Sequence, residues 1–118
     1  MGAEPAAGET DGGAAGLLRI QARRTAAELV VEVAGELDIA TTPSLRTLLD
    51  EAVDGGARRV VLDLAALDFL DSTGLATLIH ASKRLRGSGG DLVLRAPSRS
   101  VRSLLRIVGL DTVLSVED

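Results

Sequence analysis

Short apolar segments alternate along this chain with amphipathic helical segments, and this alternation limits the fold more than any other feature. Leu18, Ile20 and Ala22 alternate with polar residues, and Leu29, Val31 and Val33 recur at the same spacing of two, the period of half-buried strands. Thr25-Ala26-Ala27 lies between them and predicts the turn of a hairpin. Val60 to Leu64 is nearly continuous in apolar residues, as expected of a strand covered on both faces. These segments predict an antiparallel hairpin and a central strand.

A 3.6-residue apolar period predicts three helices in the rest of the chain. The first has Thr42 as its N-cap and Pro43 at its first helical position, a favourable start. The predicted elements after the hairpin are a helix from Thr42 to Gly55, the strand Val60–Leu64, a helix from Thr73 to Arg86, the strand Leu92–Leu94, a helix from Pro97 to Gly109 and an edge strand Val113–Val116. The order β-β-α-β-α-β-α-β predicts an α/β fold with a small mixed sheet of four to five strands and helices packed mainly on one face.

The first sixteen residues differ in composition from the rest of the chain. Residues 1–16 contain five Gly, five Ala and three of the seventeen acidic residues, without apolar periodicity. Such a segment cannot bury enough apolar surface to offset its ordering entropy. We therefore predict a disordered tail over 1–16 and one folded domain over 17–118.

Composition excludes several classes of function. The formal net charge of -4 argues against nucleic acid as a direct partner, because phosphate neutralisation needs a basic surplus. The absence of cysteine and the single histidine leave no ligands for a zinc or redox site, so no metal and no cofactor is expected. No apolar run approaches the length that spans a bilayer, which predicts a cytoplasmic protein without membrane contact.

The segment between the central strand and the second helix has an unusual composition for a connector. Ser72 stands at the predicted N-cap, where the exposed N–H groups of the helix could also hold a phosphate. Asp71 before it could bind Mg²⁺ or accept a hydrogen bond. Gly74 lies in the first helical turn and suggests that something approaches the backbone closely. Local chemistry alone leaves two interpretations open, a simple helix cap and a modifiable serine.

Hydrolysis is the enzymatic alternative at this segment, and the spacing argues against it. A serine-hydrolase elbow needs glycine two residues before the serine, where this chain has Leu70. The only histidine, His80, lies eight residues further along the same predicted helix. We therefore expect a protein without catalytic residues.

At this segment the sequence resembles the STAS domain family, and in particular the bacterial anti-sigma factor antagonists. The resemblance covers residues 17–118. It rests on Gly35-Glu36-Leu37-Asp38, on the strand Val60 to Leu64 leading through Leu67-Asp68-Phe69-Leu70 into Asp71-Ser72-Thr73-Gly74-Leu75, and on Gly109-Leu110.

The resemblance implies a STAS fold and a phosphorylation switch. In the family, the serine after the aspartate is phosphorylated by the anti-sigma factor, a GHKL-type serine kinase, and a PP2C-type phosphatase removes the phosphate. The resemblance assigns the role of phosphate acceptor to Ser72. Thr73 beside it offers a second hydroxyl group. Asp38 matches a position on the same surface, so the implied partner-binding residues are Asp38, Asp71, Ser72, Thr73 and Gly74.

The resemblance gives one main function and one alternative. In the main interpretation, the unphosphorylated chain binds an anti-sigma factor and releases the sigma factor, and phosphorylation at Ser72 ends the binding. In the alternative, the chain is an accessory or scaffold module of the stressosome or lipid-transport type, without sigma-factor control.

Overall fold

The computed structural model describes residues 18–118, which form one mixed sheet and three α-helices. The predicted tail over 1–16 lies outside the described residues. The elements are β1 (Leu18–Arg24), β2 (Leu29–Leu37), α1 (Thr42–Asp54), β3 (Arg59–Asp63), β4 (Leu67–Leu70), α2 (Ser72–Gly87), β5 (Asp91–Arg95), α3 (Arg99–Ile107), a 3₁₀ turn (Leu110–Thr112) and β6 (Ser115–Glu117). The predicted α/β architecture with its opening hairpin is confirmed.

The sheet has the strand order β1-β2-β3-β5-β6, and the short strand β4 pairs with the far end of β2. β1 and β2 are antiparallel, whereas β2, β3, β5 and β6 pair in parallel. The strand β4 was not predicted, so the sheet has six strands where four to five were expected. This strand pairs in parallel with β2 beyond a register shift between Gly35 and Glu36, where Gly35 adopts a φ of 106° that favours glycine.

All three helices contribute to one apolar core on one face of the sheet. Leu45 of α1, Leu78 of α2 and Leu105 of α3 are at most 1% exposed and pack in this core. The opposite face carries a smaller apolar cluster across three neighbouring strands, which consists of Val30, Val61 and Val93. The central strand β3 is therefore apolar on both faces, as its sequence predicts.

Two predicted boundaries need correction. The N-cap of α1 is Thr41, and Thr42 is the first helical residue. The last strand begins at Ser115, because the 3₁₀ turn before it leaves Val113 outside the sheet and half exposed. Within residues 18–118, no helix has both the length and the apolar character needed to cross a membrane.

Candidate functional site

The candidate site lies where the parallel strands β2 and β4 end side by side and lead into α1 and α2. Leu37 and Leu70 are register partners in these two strands. The backbone N–H of Asp71 then donates to the carbonyl of Leu37 at 3.1 Å. This hydrogen bond fixes the start of α2 beside the loop that leads from β2 into α1.

The N-cap of α2 is Asp71, so the prediction that Ser72 caps this helix is wrong. One carboxylate oxygen of Asp71, Oδ1, accepts from the backbone N–H groups of Thr73 at 2.9 Å and Gly74 at 3.1 Å. It also accepts from the Thr73 hydroxyl at 2.6 Å. Asp71 therefore occupies two backbone N–H groups at the start of α2. From the sequence, such N–H groups were expected to be able to hold a phosphate.

The two neighbouring hydroxyl groups differ in their availability. Thr73 is half-buried, and its hydroxyl donates a hydrogen bond to Asp71. Ser72 is exposed at the first position of α2, and within residues 18–118 its hydroxyl makes no hydrogen bond. The Ser72 hydroxyl is thus accessible from solvent, whereas the Thr73 hydroxyl is hydrogen-bonded within the chain.

Gly74 is buried, and the close approach predicted there comes from the protein's own core. A Cβ at Gly74 would lie 2.5 Å from Cδ1 of Leu70 and 2.9 Å from Cδ2 of Leu37. These distances are below van der Waals contact, so a larger residue would force the buried leucine side chains or the start of α2 to move. Gly74 therefore shapes the site from beneath, and its place among the partner-binding residues stays a prediction.

Asp38 organises the loop between β2 and α1. Its Oδ1 accepts from the backbone N–H groups of Ala40 at 2.9 Å and Thr41 at 3.0 Å. The Thr41 hydroxyl donates to the carbonyl of Glu36 at 2.8 Å and accepts from the N–H of Asp38 at 2.9 Å. This network holds the loop in one conformation beside the start of α2.

Substitutions at the adjacent residues Thr41 and Thr42 should differ in their effects on stability. Thr41→Val should lower the free energy of unfolding by about 1–3 kcal/mol, because the part-buried carbonyl of Glu36 and N–H of Asp38 lose their hydrogen bonds to the Thr41 hydroxyl. The hydroxyl of Thr42 is buried without a partner in the described residues. Thr42→Val should therefore leave stability unchanged or raise it. Urea unfolding measures both variants, and equal losses would contradict this assignment of roles.

The carboxylate of Asp71 is stabilised in its ionised form. The Thr73 hydroxyl lowers the pKa of Asp71 most, and the backbone N–H of Gly74 adds to this effect. Asp68, exposed on β4, adds a second negative charge to the sequence before Ser72. A phosphate on Ser72 would therefore be attached to the residue next to the ionised carboxylate of Asp71.

Asp71 should make folding stability dependent on pH in the acid range. Because its pKa is lowered in the folded state, its contribution is present above the unfolded value of about 3.9 and is lost as pH falls through the folded value. Asp71→Asn keeps a capping oxygen without this ionisation. Its melting temperature should fall less than that of the wild type between about pH 5 and pH 2. Asp68→Asn, at an exposed position, is the matched control, and equal slopes in all three proteins would contradict this role.

Among residues 18–118, no group of three or more His, Cys, Asp or Glu residues is placed to hold a metal ion. The carboxylate oxygen Oδ1 of Asp71, a possible magnesium ligand in the sequence, accepts hydrogen bonds from its own helix.

Comparisons with known proteins cover most of the described residues. A family model described as "Mlab, STAS domain" matches residues 20–116. The chain is 36% identical over 88 residues to BtrV from Bordetella bronchiseptica, across 75% of this chain and 76% of BtrV. It is 30% identical over 102 residues to the anti-sigma F factor antagonist of Paenibacillus polymyxa, across 86% of this chain and 87% of that protein.

The fold also resembles solved structures. The crystal structure of an anti-sigma factor antagonist from Mycobacterium paratuberculosis superimposes with a TM-score of 0.77 at 27% sequence identity, covering 85% of each chain. The similarity therefore extends over the sheet and the three helices that position the site.

Proposed function

This chain belongs to the STAS domain family, and from that premise we propose that it is an anti-sigma factor antagonist. In its unphosphorylated form it binds an anti-sigma factor and so releases the sigma factor that the anti-sigma factor holds. The relative from Paenibacillus polymyxa is named an anti-sigma F factor antagonist, and its similarity covers 86% of this chain. The chain acts by binding, not by catalysis.

The switch in this proposal is phosphorylation of the Ser72 hydroxyl by the anti-sigma factor, acting as a GHKL-type serine kinase. The observation that carries it is the contrast between two adjacent hydroxyl groups. Ser72 is exposed without a hydrogen bond in the described residues, whereas the Thr73 hydroxyl donates to Asp71 at 2.6 Å. A PP2C-type phosphatase would reverse the modification.

Phosphorylation would change the charge of the site without a new fold. A phosphate adds about -1.5 to -2 charges at neutral pH. The N–H groups of Thr73 and Gly74 already donate to Asp71, so the phosphate would stay at the surface next to an ionised carboxylate. A partner that contacts Ser72 closely would then meet both steric hindrance and a concentrated negative charge.

A binding titration tests this proposal. The purified chain would be titrated calorimetrically with each GHKL-type anti-sigma factor from the same genome, before and after treatment with ATP and that kinase. We expect binding that falls by about a hundredfold or more after phosphorylation, which corresponds to the several kcal/mol that like-charge contacts cost at an interface. Binding of equal strength before and after phosphorylation would contradict the switch.

A second candidate function is an accessory or scaffold module without sigma-factor control. It is favoured by the description of the matching family model, which names Mlab and not an antagonist. This candidate predicts that none of the anti-sigma factors binds the chain in the same titration.

A further inference from the structure

A groove opens between the first turns of α1 and α2, adjacent to the proposed phosphorylation site. Its volume is about 270 Å³, and its lining includes Ile39, Pro43 and Ala76 as apolar residues. Thr73, the neighbour of Ser72, also lines it, as does Arg46. The groove is therefore continuous with the surface that carries the switch.

Ile39 is the most exposed apolar residue of the groove. It is 75% exposed, and among the large apolar side chains of residues 18–118 only Ile107 is more exposed. The hydrogen bonds of Asp38 and Thr41 fix the backbone on both sides of it. An apolar side chain that is both exposed and held by a rigid loop needs no ordering before it is covered by a partner, which favours binding.

Arg46 gives the groove a positive charge that the fold does not use. Within residues 18–118, Arg46 makes no ion pair, and it is exposed. Arg84 of α2, by contrast, pairs with Asp50 and Asp54 of α1 at 3.0 Å each. The arginine at the groove is therefore available to a carboxylate from outside the chain.

We propose that this groove receives a segment of the anti-sigma factor in which an aliphatic side chain stands beside an acidic one. The aliphatic side chain would cover Ile39, and the carboxylate would pair with Arg46. This inference rests on the proposed function, and it assigns Ile39 and Arg46 as the residues that select the partner. A phosphate on Ser72, next to Thr73 at the edge of the groove, would repel the incoming carboxylate.

The chain offers a matched control for each groove variant. Ile107, at the end of α3, is 81% exposed, and Arg106 before it is exposed on the same helix. Neither lines the groove. The pairs Ile39→Ala with Ile107→Ala, and Arg46→Glu with Arg106→Glu, therefore change the same side chains at two different places. All four positions are exposed, so the variants should fold, and circular dichroism checks this.

Calorimetric titration with the purified anti-sigma factor that binds the wild-type chain tests the proposal. Ile39→Ala and Arg46→Glu should each weaken binding about tenfold or more, and both controls should stay within about twofold of the wild type. Arg46→Lys should retain most of the affinity, because it keeps the charge. If the wild type binds and both groove variants bind within about twofold of it, the groove assignment is wrong and the proposed function stands. If no anti-sigma factor binds the wild type, the proposed function and the groove assignment both fail.

Discussion

Ser72→Ala should abolish phosphorylation of this chain by its anti-sigma kinase, whereas Thr73→Val should retain it. The reason is the geometry at the start of α2, where Ser72 is exposed and the Thr73 hydroxyl is engaged by Asp71. Removing the Ser72 hydroxyl leaves Thr73, whose half-buried hydroxyl already donates a hydrogen bond to Asp71. We therefore expect a complete loss of phosphate incorporation in one variant and near wild-type incorporation in the other.

Intact-mass spectrometry after incubation with kinase and ATP measures this difference, and fragmentation locates the phosphate. The double variant, which lacks both hydroxyl groups, is the control for phosphorylation elsewhere. Stoichiometric phosphate on Thr73 in Ser72→Ala would show that the hydrogen bond to Asp71 does not protect this hydroxyl.

Gly74→Val should lower the free energy of unfolding by about 3 kcal/mol, the upper range for overpacking a well-packed core. Its Cβ would lie 2.5 Å from Leu70 and 2.9 Å from Leu37, which are both buried. The atoms in contact are side-chain carbons of leucines that pack in the core, so these side chains can move only if their neighbours repack. Otherwise the start of α2 shifts, and the Asp71 cap with it.

Gly87→Val is the matched control, because Gly87 is exposed at the last residue of the same helix and its Cβ would meet nothing within 4 Å. Its stability should stay within about 0.5 kcal/mol of the wild type, as for most surface substitutions. Chemical denaturation compares the two variants. Similar losses for both would show that the cost comes from valine in the helix and not from contact with the core.

Sequence periodicity predicted those parts of the fold that depend on local pattern. The hairpin and the three helices have long periodic apolar faces, and all of them were predicted. The strand β4 was missed because it has only four residues and exposes two of them, Asp68 and Phe69. Its pairing depends on the register shift at Gly35, a distant feature that the segment itself does not encode.

The local roles of several candidate-site residues could not be predicted from the sequence. At both helix starts, two adjacent residues can act as caps, and the structure uses the earlier one: Thr41 instead of Thr42, and Asp71 instead of Ser72. Only tertiary geometry decides between such neighbours. Gly74 was correctly predicted to need a close approach, but the sequence could not show that Leu37 and Leu70 cause it. Ile39 and Arg46 were missed, because their exposure depends on how α1 and α2 pack.

Release of the sigma factor from its anti-sigma factor tests the central claim most directly. A purified complex of the two proteins would be mixed with increasing amounts of this chain, and free sigma factor would be measured by size-exclusion chromatography. We expect the unphosphorylated chain to displace the sigma factor stoichiometrically and the chain phosphorylated at Ser72 to displace none. Failure of the unphosphorylated chain to displace the sigma factor, or equal displacement by both forms, would contradict this claim.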